Sequence, residues 1–505
     1  MSMTHTVAAR DRSLKRRIRV GSIGLSARMF LVLLMAAATA LAVFIWTRQS
    51  LTLDEAQSIW QTSRDLPGLF NVIAKDVHVP LFFIGLHYWE IAFGTTELAL
   101  RSFSLVFFLV SIPAIFVLAK EAYSERVAYF TAFITAISPF LNWYGSDARM
   151  YSMMFLFTIL SHLFYIRLWR RPSATTWFGY TVVTFLGLFT HLFFLFVIFT
   201  QAVYFLVKRK IFPPDAMRKL AVIGVSAGAA TGAWFVYRHI AGAGLTNPVL
   251  AQPSSVDFFN VFSNFFIGFQ TDPVNTFYLS LWPLVVFVGF TFLARRRPHQ
   301  PETSYFMAAS FIPILLAFVV SMTVEPIFLS RYLIISLPSI YILAVYFLSS
   351  YRPAISDLLL SILSISMLSM LVVQAIEPLS PVKEDFRDAA GFVSASATPS
   401  DLFVVSAPFI TYPVEYYYHG AARLSTFPEW DRYLPNAQIQ PFSLNDLAQT
   451  TQSWQQVYER VFFLLGYDQG YNEKIRLFMD EHYQRVFTQT FSPGLTLYVY
   501  KLRYP

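Results

Sequence analysis

Residues 29–47, MFLVLLMAAATALAVFIWT, form an unbroken apolar run that decides the class of fold. A membrane-spanning helix needs about 20 apolar residues, and this run has that length. It follows residues 1–28, which are polar and carry seven Lys and Arg residues. Because a basic flank stays on the cytoplasmic side, and because the run is long for a signal peptide, we predict an uncleaved anchor whose N-terminus lies inside.

The composition of the whole chain agrees with a polytopic membrane protein. Hydrophobic residues make up 55% of the 505 residues, charged residues only 13%, and the mean hydropathy is +0.50. A soluble domain of this size cannot bury so much apolar surface, which excludes disordered chains, coiled coils and most soluble enzymes. The chain has no cysteine, so disulfides, thiolate metal sites and cysteine nucleophiles are excluded as well.

Alternation of apolar runs and charged loops predicts an α-helical bundle of about eleven spans between residues 29 and 377. The predicted spans are 29–47, 98–119, 127–143, 149–168, two within 176–207, 219–239, 276–293, 305–323, 332–349 and 356–376. Of the 28 Lys and Arg residues in this part of the chain and its N-terminal flank, 21 fall in segments that this path places inside. That bias supports the orientation. The apolar stretch 78–94 is placed as an interfacial or re-entrant helix on the outer side, within a catalytic outer loop, 48–97.

Residues 378–505 change in composition and predict a small α/β domain outside the membrane. Strand-like runs lie at 401–406, 461–466 and 494–501, and helix-like stretches lie near 384–396 and 471–483. The domain has no Gly-rich phosphate loop, so no nucleotide site is predicted there. The chain has no Asn-x-Ser/Thr sequon, which favours a bacterial inner membrane with the C-terminal domain extracytoplasmic.

Polar and ionisable residues gather at the predicted outer ends of the spans. Such groups are costly near a bilayer and usually serve a function. Acids, histidines and arginines on one side of a bundle suit chemistry on an anionic lipid headgroup. These residues are Asp54, Glu55, His78, Asp147, Arg149, His191 and Arg331.

Two of the acids have a structural alternative. The stretch from Thr52 to Glu55 fits a capping box, in which the Glu55 side chain reaches back to the helix start. Asp147 could cap the helix of the fourth span. Neither alternative explains Asp54, since Ser or Asn would cost less than a carboxylate at a bilayer edge.

The basic residues have alternatives of their own. His78 and His191 could be hydrogen-bonded core histidines or interfacial ones. Arg149 and Arg331 could extend to lipid headgroups without touching a substrate. The shared side of these residues, and the adjacency of acid and base in two loops, favour the functional interpretation.

Short motifs occur along the chain in a characteristic order. They are LDEA (53–56), HVPL (78–81), LRSF (100–103), DARMYS (147–152), THLF (190–193) and SRYLI (330–334), with KEDFRDAA (383–390) after the last span. In this order they resemble the C-type glycosyltransferase superfamily, in particular the family 39-like bacterial group. That group is related to protein O-mannosyltransferases and to the aminoarabinose transferases of lipid A. The resemblance covers residues 29–390, with Val79 where relatives have Pro and Asp147 where they commonly have Glu.

The resemblance implies inverting transfer of a sugar from a polyprenyl-phosphate donor to an acceptor hydroxyl on the outer face of the membrane. The acceptor would be an envelope glycolipid, a polysaccharide or a protein. Asp54 would act as general base, while Glu55 and Asp147 would orient the acceptor or hold a divalent metal cation. Arg331, Arg149, His191 and His78 would bind the donor phosphate. Because members of the superfamily differ in their use of metal, no metal ligand is assigned.

Two other classes of function stay open at this point. The first is a polyprenyl-lipid flippase or transporter, although such folds often show internal repeats and polar groups at the midplane. The sequence shows no clear repeat, and its polar cluster lies at one interface. The second is a non-catalytic scaffold whose C-terminal domain binds a partner.

Overall fold

The computed structural model describes residues 25–242, 250–270, 272–280, 300–377, 384–432 and 439–503. Residues 1–24 of the predicted basic flank, most of the predicted span 276–293 and the start of the predicted C-terminal domain at 378 lie outside the described residues. Within them, a large helical bundle precedes a small domain with a mixed β-sheet.

The helices of the bundle follow one another with short connections. In chain order they are α1 (Leu25–Trp46), α2 (Leu53–Thr62), α3 (Leu66–Lys75), α4 (Leu81–Phe93), α5 (Glu97–Ala122), α6 (Glu125–Ala136), α7 (Pro139–Ser146), α8 (Tyr151–Arg170), α9 (Ala174–Thr190), α10 (Phe194–Val207), α11 (Ala216–Ile240), α12 (Ser255–Ile267), α13 (Asp272–Ser280), α14 (Pro301–Thr323), α15 (Leu337–Leu348) and α16 (Pro353–Ile376). A 3₁₀ helix, Tyr332–Ser336, leads into α15.

Six of the described helices, α1, α5, α8, α11, α14 and α16, are long and apolar enough to cross a membrane. Each coincides with a predicted span, which confirms a polytopic membrane protein. The other predicted spans within the described residues form shorter helices. One of them, 127–143, is divided into α6 and α7, because Ser138 caps a new helix that begins at Pro139.

The α4 helix occupies the apolar stretch whose placement was ambiguous in the sequence. It has 13 residues, hence a length of about 20 Å, which falls short of the roughly 30 Å hydrocarbon core. Two polar contacts attach it to α2: the Thr62 hydroxyl donates to Glu90 at 2.5 Å, and His87 Nδ1 lies 2.8 Å from the Thr62 carbonyl oxygen. A length below that of a span agrees with an interfacial helix.

The α8 helix forms the centre of the bundle, and α11 lies at its edge. Of the apolar window of α8, 78% is buried, compared with 11% for α11. In the middle of α8, His162 Nδ1 lies 2.7 Å from the Tyr305 hydroxyl of α14. This interhelical hydrogen bond gives the deeply placed histidine a structural role.

The C-terminal domain alternates helices and strands. Its elements are α17 (Phe386–Ser396), β1 (Asp401–Ser406), α18 (Thr411–Tyr417), β2 (Arg423–Thr426), α19 (Leu444–Val457), β3 (Arg460–Leu465), α20 (Asn472–His482), β4 (Gln484–Ser492) and β5 (Leu495–Lys501). The sheet order is β2-β1-β3-β5-β4, with β1 parallel to β2 and β3, and β5 antiparallel to β3 and β4. This confirms the predicted α/β domain, in which β2, β4, α18 and α19 were not predicted.

The two faces of this sheet bury separate apolar cores. One face packs against α17 and α18, and the other packs against α19 and α20. The face with α17 and α18 lies toward the bundle, because α18 contacts α2 and its Tyr412 ring lies 5.1 Å from the Trp60 ring. The C-terminal domain therefore meets the bundle at the end that carries α2.

Candidate active site

A capping box fixes the start of α2 and thereby positions Asp54. The Thr52 hydroxyl accepts from the Glu55 backbone N–H at 3.3 Å, and Glu55 Oε2 accepts from the Thr52 N–H at 2.9 Å. Asp54 lies in the first helical turn, where the helix dipole favours a carboxylate. The structural alternative for Glu55 is therefore present in the molecule.

Glu55 also forms a fully buried ion pair with Arg101 of α5. Arg101 Nε and Nη2 donate to the two carboxylate oxygens at 2.7 and 2.8 Å, and the Ala148 N–H donates to Oε1 at 3.1 Å. Arg101 further donates to the carbonyls of Gln49 and Ser50 at 3.0 and 2.8 Å. Glu55 thus joins α2 to α5 and to the segment before α8. A role of Glu55 in orienting an acceptor or holding a metal stays a prediction.

Asp54 reaches a different environment from its neighbour, since its side chain is 33% exposed. Its Oδ2 accepts from Arg331 Nη1 at 3.3 Å, and Arg149 Nη1 donates to its backbone carbonyl at 3.3 Å. Burial opposes ionisation of Asp54, but the positive charges of Arg149 and Arg331 outweigh that effect and hold its pKa below the ordinary value. Asp54 is therefore an ionised carboxylate at neutral pH.

Arg149 is buried within the site, with only 4% of its surface exposed. Its guanidinium donates to the Ser58 hydroxyl at 3.1 Å and lies 3.0 Å from His78 Nε2. This position is not that of an arginine extending to headgroups. Its guanidinium places a positive charge beside the backbone of Asp54.

His78 shares the site with a carboxylate and a guanidinium. Its Nε2 lies 3.8 Å from Asp76, whose carboxylate accepts from Gln57 at 3.3 Å and from Gln61 at 2.7 Å. Burial, aided by the charge of Arg149, lowers the pKa of His78 to about 4, although Asp76 opposes the change. The ring is neutral at neutral pH, so Nε2 accepts from Arg149 and Nδ1 carries the hydrogen.

Arg331 and His191 meet around one tyrosine ring. The Arg331 guanidinium lies 5.4 Å from the centre of the Tyr332 ring, and the His191 ring lies 5.1 Å from it. His191 Nδ1 accepts from the Phe193 N–H at 3.1 Å, which fixes the orientation of the ring. Among the described residues, the buried Nε atoms of Arg331 and Arg149 have no hydrogen-bond acceptor. The site thus has spare donors for an anion.

Asp147 ends α7, and the structural alternative, in which it caps the next helix, is wrong. The N-cap of α8 is Met150, with no side-chain hydrogen bond, because the DARM segment makes a turn before the helix begins. Asp147 Oδ1 is buried and finds no hydrogen-bond partner within the described part of the chain. Burial raises the pKa of Asp147 well above its usual value, and the charges of Glu55 and Asp54 raise it further.

A narrow crevice opens beside these acids, between α1, α2, α5 and α7. Its walls include Trp46, Thr52, Trp143 and Asp147. In the described ranges, no group of three or more His, Asp or Glu side chains is arranged to hold a metal ion.

Part of the chain matches a family model, and the whole chain is similar in fold to solved structures. Residues 79–234 match the family model described as dolichyl-phosphate-mannose-protein mannosyltransferase. The crystal structure of ArnT from Cupriavidus metallidurans in the apo state is similar in fold, with 14% identity, a TM-score of 0.59 and coverage of 94% of this chain and 98% of ArnT. The chain therefore shares the fold of ArnT over almost its whole length. This likeness and the partial family match agree with the resemblance carried by the motifs.

Two further solved structures are similar to this chain in fold. ArnT bound to undecaprenyl phosphate has a TM-score of 0.53, with the same identity and coverage. The arabinofuranosyltransferase AftD from Mycobacteria has 13% identity and a TM-score of 0.50, over 96% of this chain and 42% of AftD. Comparison with curated protein sequences finds no significant match.

Several residues of this candidate site were not assigned a role from the sequence. Arg101 belongs to the LRSF motif, so its pairing with Glu55 had a visible signal. Ser58, one helical turn after Asp54, had none, although its spacing places it on the same face of α2. Asp76 stands two residues before His78 and is the acid that faces that ring.

Proposed function

We propose that this chain catalyses inverting transfer of a sugar from a polyprenyl-phosphate donor to an acceptor hydroxyl at the outer face of the bacterial inner membrane. The observation that carries the proposal is an ionised Asp54 flanked by Arg331 and Arg149 at one end of the bundle. Similarity in fold to ArnT bound to undecaprenyl phosphate supports a lipid-phosphate donor. The acceptor belongs to an envelope glycolipid, polysaccharide or protein.

Asp54 acts as the general base of the reaction. Its carboxylate takes the proton from the acceptor hydroxyl while the oxygen attacks the anomeric carbon, so one C–O bond forms as the bond to the phosphate oxygen breaks. The polyprenyl phosphate leaves with the electron pair of that bond, and the proton passes from Asp54 to solvent. A single displacement inverts the anomeric centre. No general acid is required, because the phosphate is a good leaving group.

The two arginines stabilise the charge that develops on the leaving phosphate. A guanidinium matches two phosphate oxygens, and the unused Nε atoms of Arg331 and Arg149 supply donors for them. His78 Nδ1–H and His191 Nε2 are further groups for this anion. Glu55 and Asp147 orient the acceptor. Glu55 does so by fixing the position of α2, and Asp147 does so as part of the wall of the crevice.

Donor binding also prepares the base. In the free protein both arginines stabilise the Asp54 carboxylate and make it a weak base. A phosphate that takes Arg331 as its partner removes part of that stabilisation, so the pKa of Asp54 rises when the donor is bound. The site thereby becomes a competent base only when there is a sugar to transfer.

The test combines the purified protein, a panel of polyprenyl-phosphate sugars and membranes of the host lacking the gene as acceptor. Mass spectrometry follows loss of donor and gain of product. Asp54→Asn should keep the fold and lower transfer by at least about 100-fold, because it removes the base but keeps the shape. Asp65→Asn is the matched control, since Asp65 is the N-cap of α3 and Asn caps equally well.

Each outcome bears on the proposal. Retained transfer in Asp54→Asn removes Asp54 as the base. Movement of the lipid across vesicles without loss of the sugar from any donor favours the flippase alternative. A product that survives mild acid is a glycoside of a hydroxyl, whereas an acid-labile product is a glycosyl phosphate and contradicts a hydroxyl acceptor.

A further inference from the structure

We propose that a group of exposed cations at one end of the bundle binds the phosphate group of an anionic phospholipid in the cytoplasmic leaflet. We call this group the basic patch, and its members are Arg171, Lys208, Arg209, Lys210 and Arg218. The patch and the candidate active site lie at opposite ends of the bundle. The inference is therefore independent of the proposed transfer reaction and adds a lipid site at the other surface of the membrane.

The α8 helix sets the distance between the basic patch and the candidate active site. Arg149 lies just before the start of α8, and Arg171 directly follows its last residue. A helix of 20 residues is about 30 Å long, which is the thickness of the hydrocarbon core of a bilayer. Cations at this end of α8 therefore reach the depth of lipid phosphates when Asp54 lies at the opposite surface.

Aromatic packing attaches the second segment of the basic patch to the end of α8. Lys208 directly follows α10, and a short 3₁₀ helix, Arg209–Ile211, comes next. The residue after this helix, Phe212, is buried, and its ring lies 5.3 Å from the ring of Trp169 in the last turn of α8. This contact holds the three cations of the segment beside the end of α8, where Arg171 lies.

A second set of contacts attaches the start of α11, which carries Arg218. The neighbouring Lys219 places its ammonium group 5.0 Å from the centre of the Trp177 ring of α9. The Thr176 hydroxyl, next to Trp177 in the chain, donates to the Arg171 carbonyl oxygen at 3.2 Å. The three segments of the basic patch are therefore parts of one surface built around the end of α8.

The cations of the basic patch differ from their neighbours at this end of the bundle in their ion pairing. Within the described residues, none of the five forms an ion pair with an acid. The neighbouring cations do form pairs: Lys120 with Glu125, Arg126 with Asp357, Arg167 with Glu121, Arg170 with Glu302 and Lys219 with Asp215. A cluster of cations next to a membrane-spanning helix is the arrangement that attracts anionic headgroups.

Exposed apolar side chains border the basic patch and favour a lipid over a soluble anion. Leu206 and Val207, directly before Lys208, are 64% and 72% exposed, and Phe178, next to Trp177, is 71% exposed. At the edge of a bilayer, such side chains contact acyl chains while the cations beside them reach the phosphates. A phospholipid supplies both partners, whereas inorganic phosphate or an acidic protein supplies the charge without the acyl chain.

The experiment measures lipid binding to the purified full-length chain in detergent by native mass spectrometry. The protein is titrated with phosphatidylglycerol, which is anionic, and with phosphatidylcholine, which has no net charge. The wild type should bind phosphatidylglycerol at least about tenfold more tightly. Lys208→Gln combined with Lys210→Gln should weaken this affinity by about 30-fold, which is about fivefold for each cation. The affinity for phosphatidylcholine should stay within about twofold of the wild type.

The matched control is Lys120→Gln combined with Arg126→Gln. This variant loses the same charge at the same end of the bundle, but each of these cations is already paired with an acid at the surface. It should keep the affinity for phosphatidylglycerol within about twofold of the wild type. Both double variants should keep the melting temperature measured without added lipid, because the changes are at the surface.

Three results would overturn the inference. Equal affinities of the wild type for the two lipids would exclude a lipid phosphate as the ligand and favour an acidic protein. Equal losses of affinity in the two double variants would indicate a response to net charge, not a site at the basic patch. Displacement of phosphatidylglycerol by millimolar inorganic phosphate would assign the patch to a soluble anion. Each of these results leaves the proposed sugar transfer untouched, since Asp54→Asn tests that reaction separately.

Discussion

The two arginines beside Asp54 differ in burial, and this difference separates a binding role from a folding role. Arg149 is 4% exposed and has protein partners, whereas the Arg331 side chain is 36% exposed and contacts Asp54 at the rim of the site. Arg331→Ala should therefore keep the fold, raise the KM for the donor and lower kcat/KM by roughly 10- to 100-fold, as expected for a charge-assisted hydrogen bond.

The control for Arg331 is Arg48→Ala. Arg48 is exposed near the same end of α1 and lies over the Phe44 ring, away from Asp54. It should behave as the wild type in donor kinetics. A fall in protein abundance with unchanged kinetics in Arg331→Ala would instead support an arginine that only anchors the chain at the membrane surface.

His78 makes stability depend on pH. The unfolded histidine binds a proton below a pH of 6.5, whereas the folded one stays neutral down to about 4. The unfolded state therefore binds more protons in this window, and the free energy of unfolding falls as the pH falls from 6.5 to 4, by on the order of 3 kcal/mol. Thermal unfolding in detergent should show this slope, and His78→Gln should make it shallower, while the buried His191, whose pKa is also lowered, supplies part of the slope that remains.

The matched control is His419→Gln, since His419 is exposed on the C-terminal domain. It should leave the slope unchanged. An equal slope in the wild type and in His78→Gln would contradict a buried neutral His78.

Sequence alone identifies one half of this site. Asp54, His78, Arg149 and Arg331 stand out because ionisable residues are rare near spans, and the structure brings them together. Ser58 carries no such signal, because an uncharged hydroxyl is common in any chain and its contact with Arg149 depends on how the helices pack. The functional roles of all these residues stay predictions until the variants are measured.

At the scale of elements, the buried pair of Glu55 and Arg101 decides how α2 sits on α5. Removing one partner of a buried pair leaves an uncompensated charge, which typically costs about 3–5 kcal/mol. Glu55→Gln should therefore lower the melting temperature strongly. Glu125→Gln is the control, because Glu125 is exposed and pairs with Lys120 at 2.7 Å on the surface, where an ion pair contributes only about 0–1 kcal/mol.

A double-mutant cycle separates this structural role from the predicted acceptor role. Arg101→Leu combined with Glu55→Gln should cost less stability than the two single changes added together, because their interaction is counted twice. If Glu55→Gln abolished transfer with an unchanged melting temperature, Glu55 would act on the acceptor and the structural interpretation would be wrong.

The long helices could be predicted because the length of an apolar run indicates a membrane span. Long apolar runs gave α1, α5, α8, α11, α14 and α16, because a bilayer fixes the length of a helix. Span 127–143 was not recognised as two helices, although Pro139 marks the break. In the C-terminal domain, β4 was missed because most of its residues are exposed and show no buried face at one edge of the sheet.

At the scale of the whole molecule, composition predicted the helical bundle and the C-terminal domain. It did not predict the contact between these two parts. Hydropathy describes each segment by itself. The pairing of residues 49–51 with α17 and α18 joins segments more than 300 positions apart through hydrogen bonds to backbone groups. Backbone groups are the same in every residue, so such a contact leaves no pattern in the sequence.

This contact leads to a prediction about how the domain supports the site. Tyr417→Phe removes the acceptor of the buried Leu51 N–H, which leaves a donor without a partner and loosens the loop before Asp54. Hydrogen–deuterium exchange should rise by roughly tenfold at residues 50–55, as expected for a loss of about 1.4 kcal/mol. Transfer should fall by a similar factor.

Tyr418→Phe is the matched control, because the Tyr418 hydroxyl bonds to Ala422 inside the C-terminal domain at 2.8 Å. Equal exchange in the two variants would mean that the domain sits on the loop without ordering it.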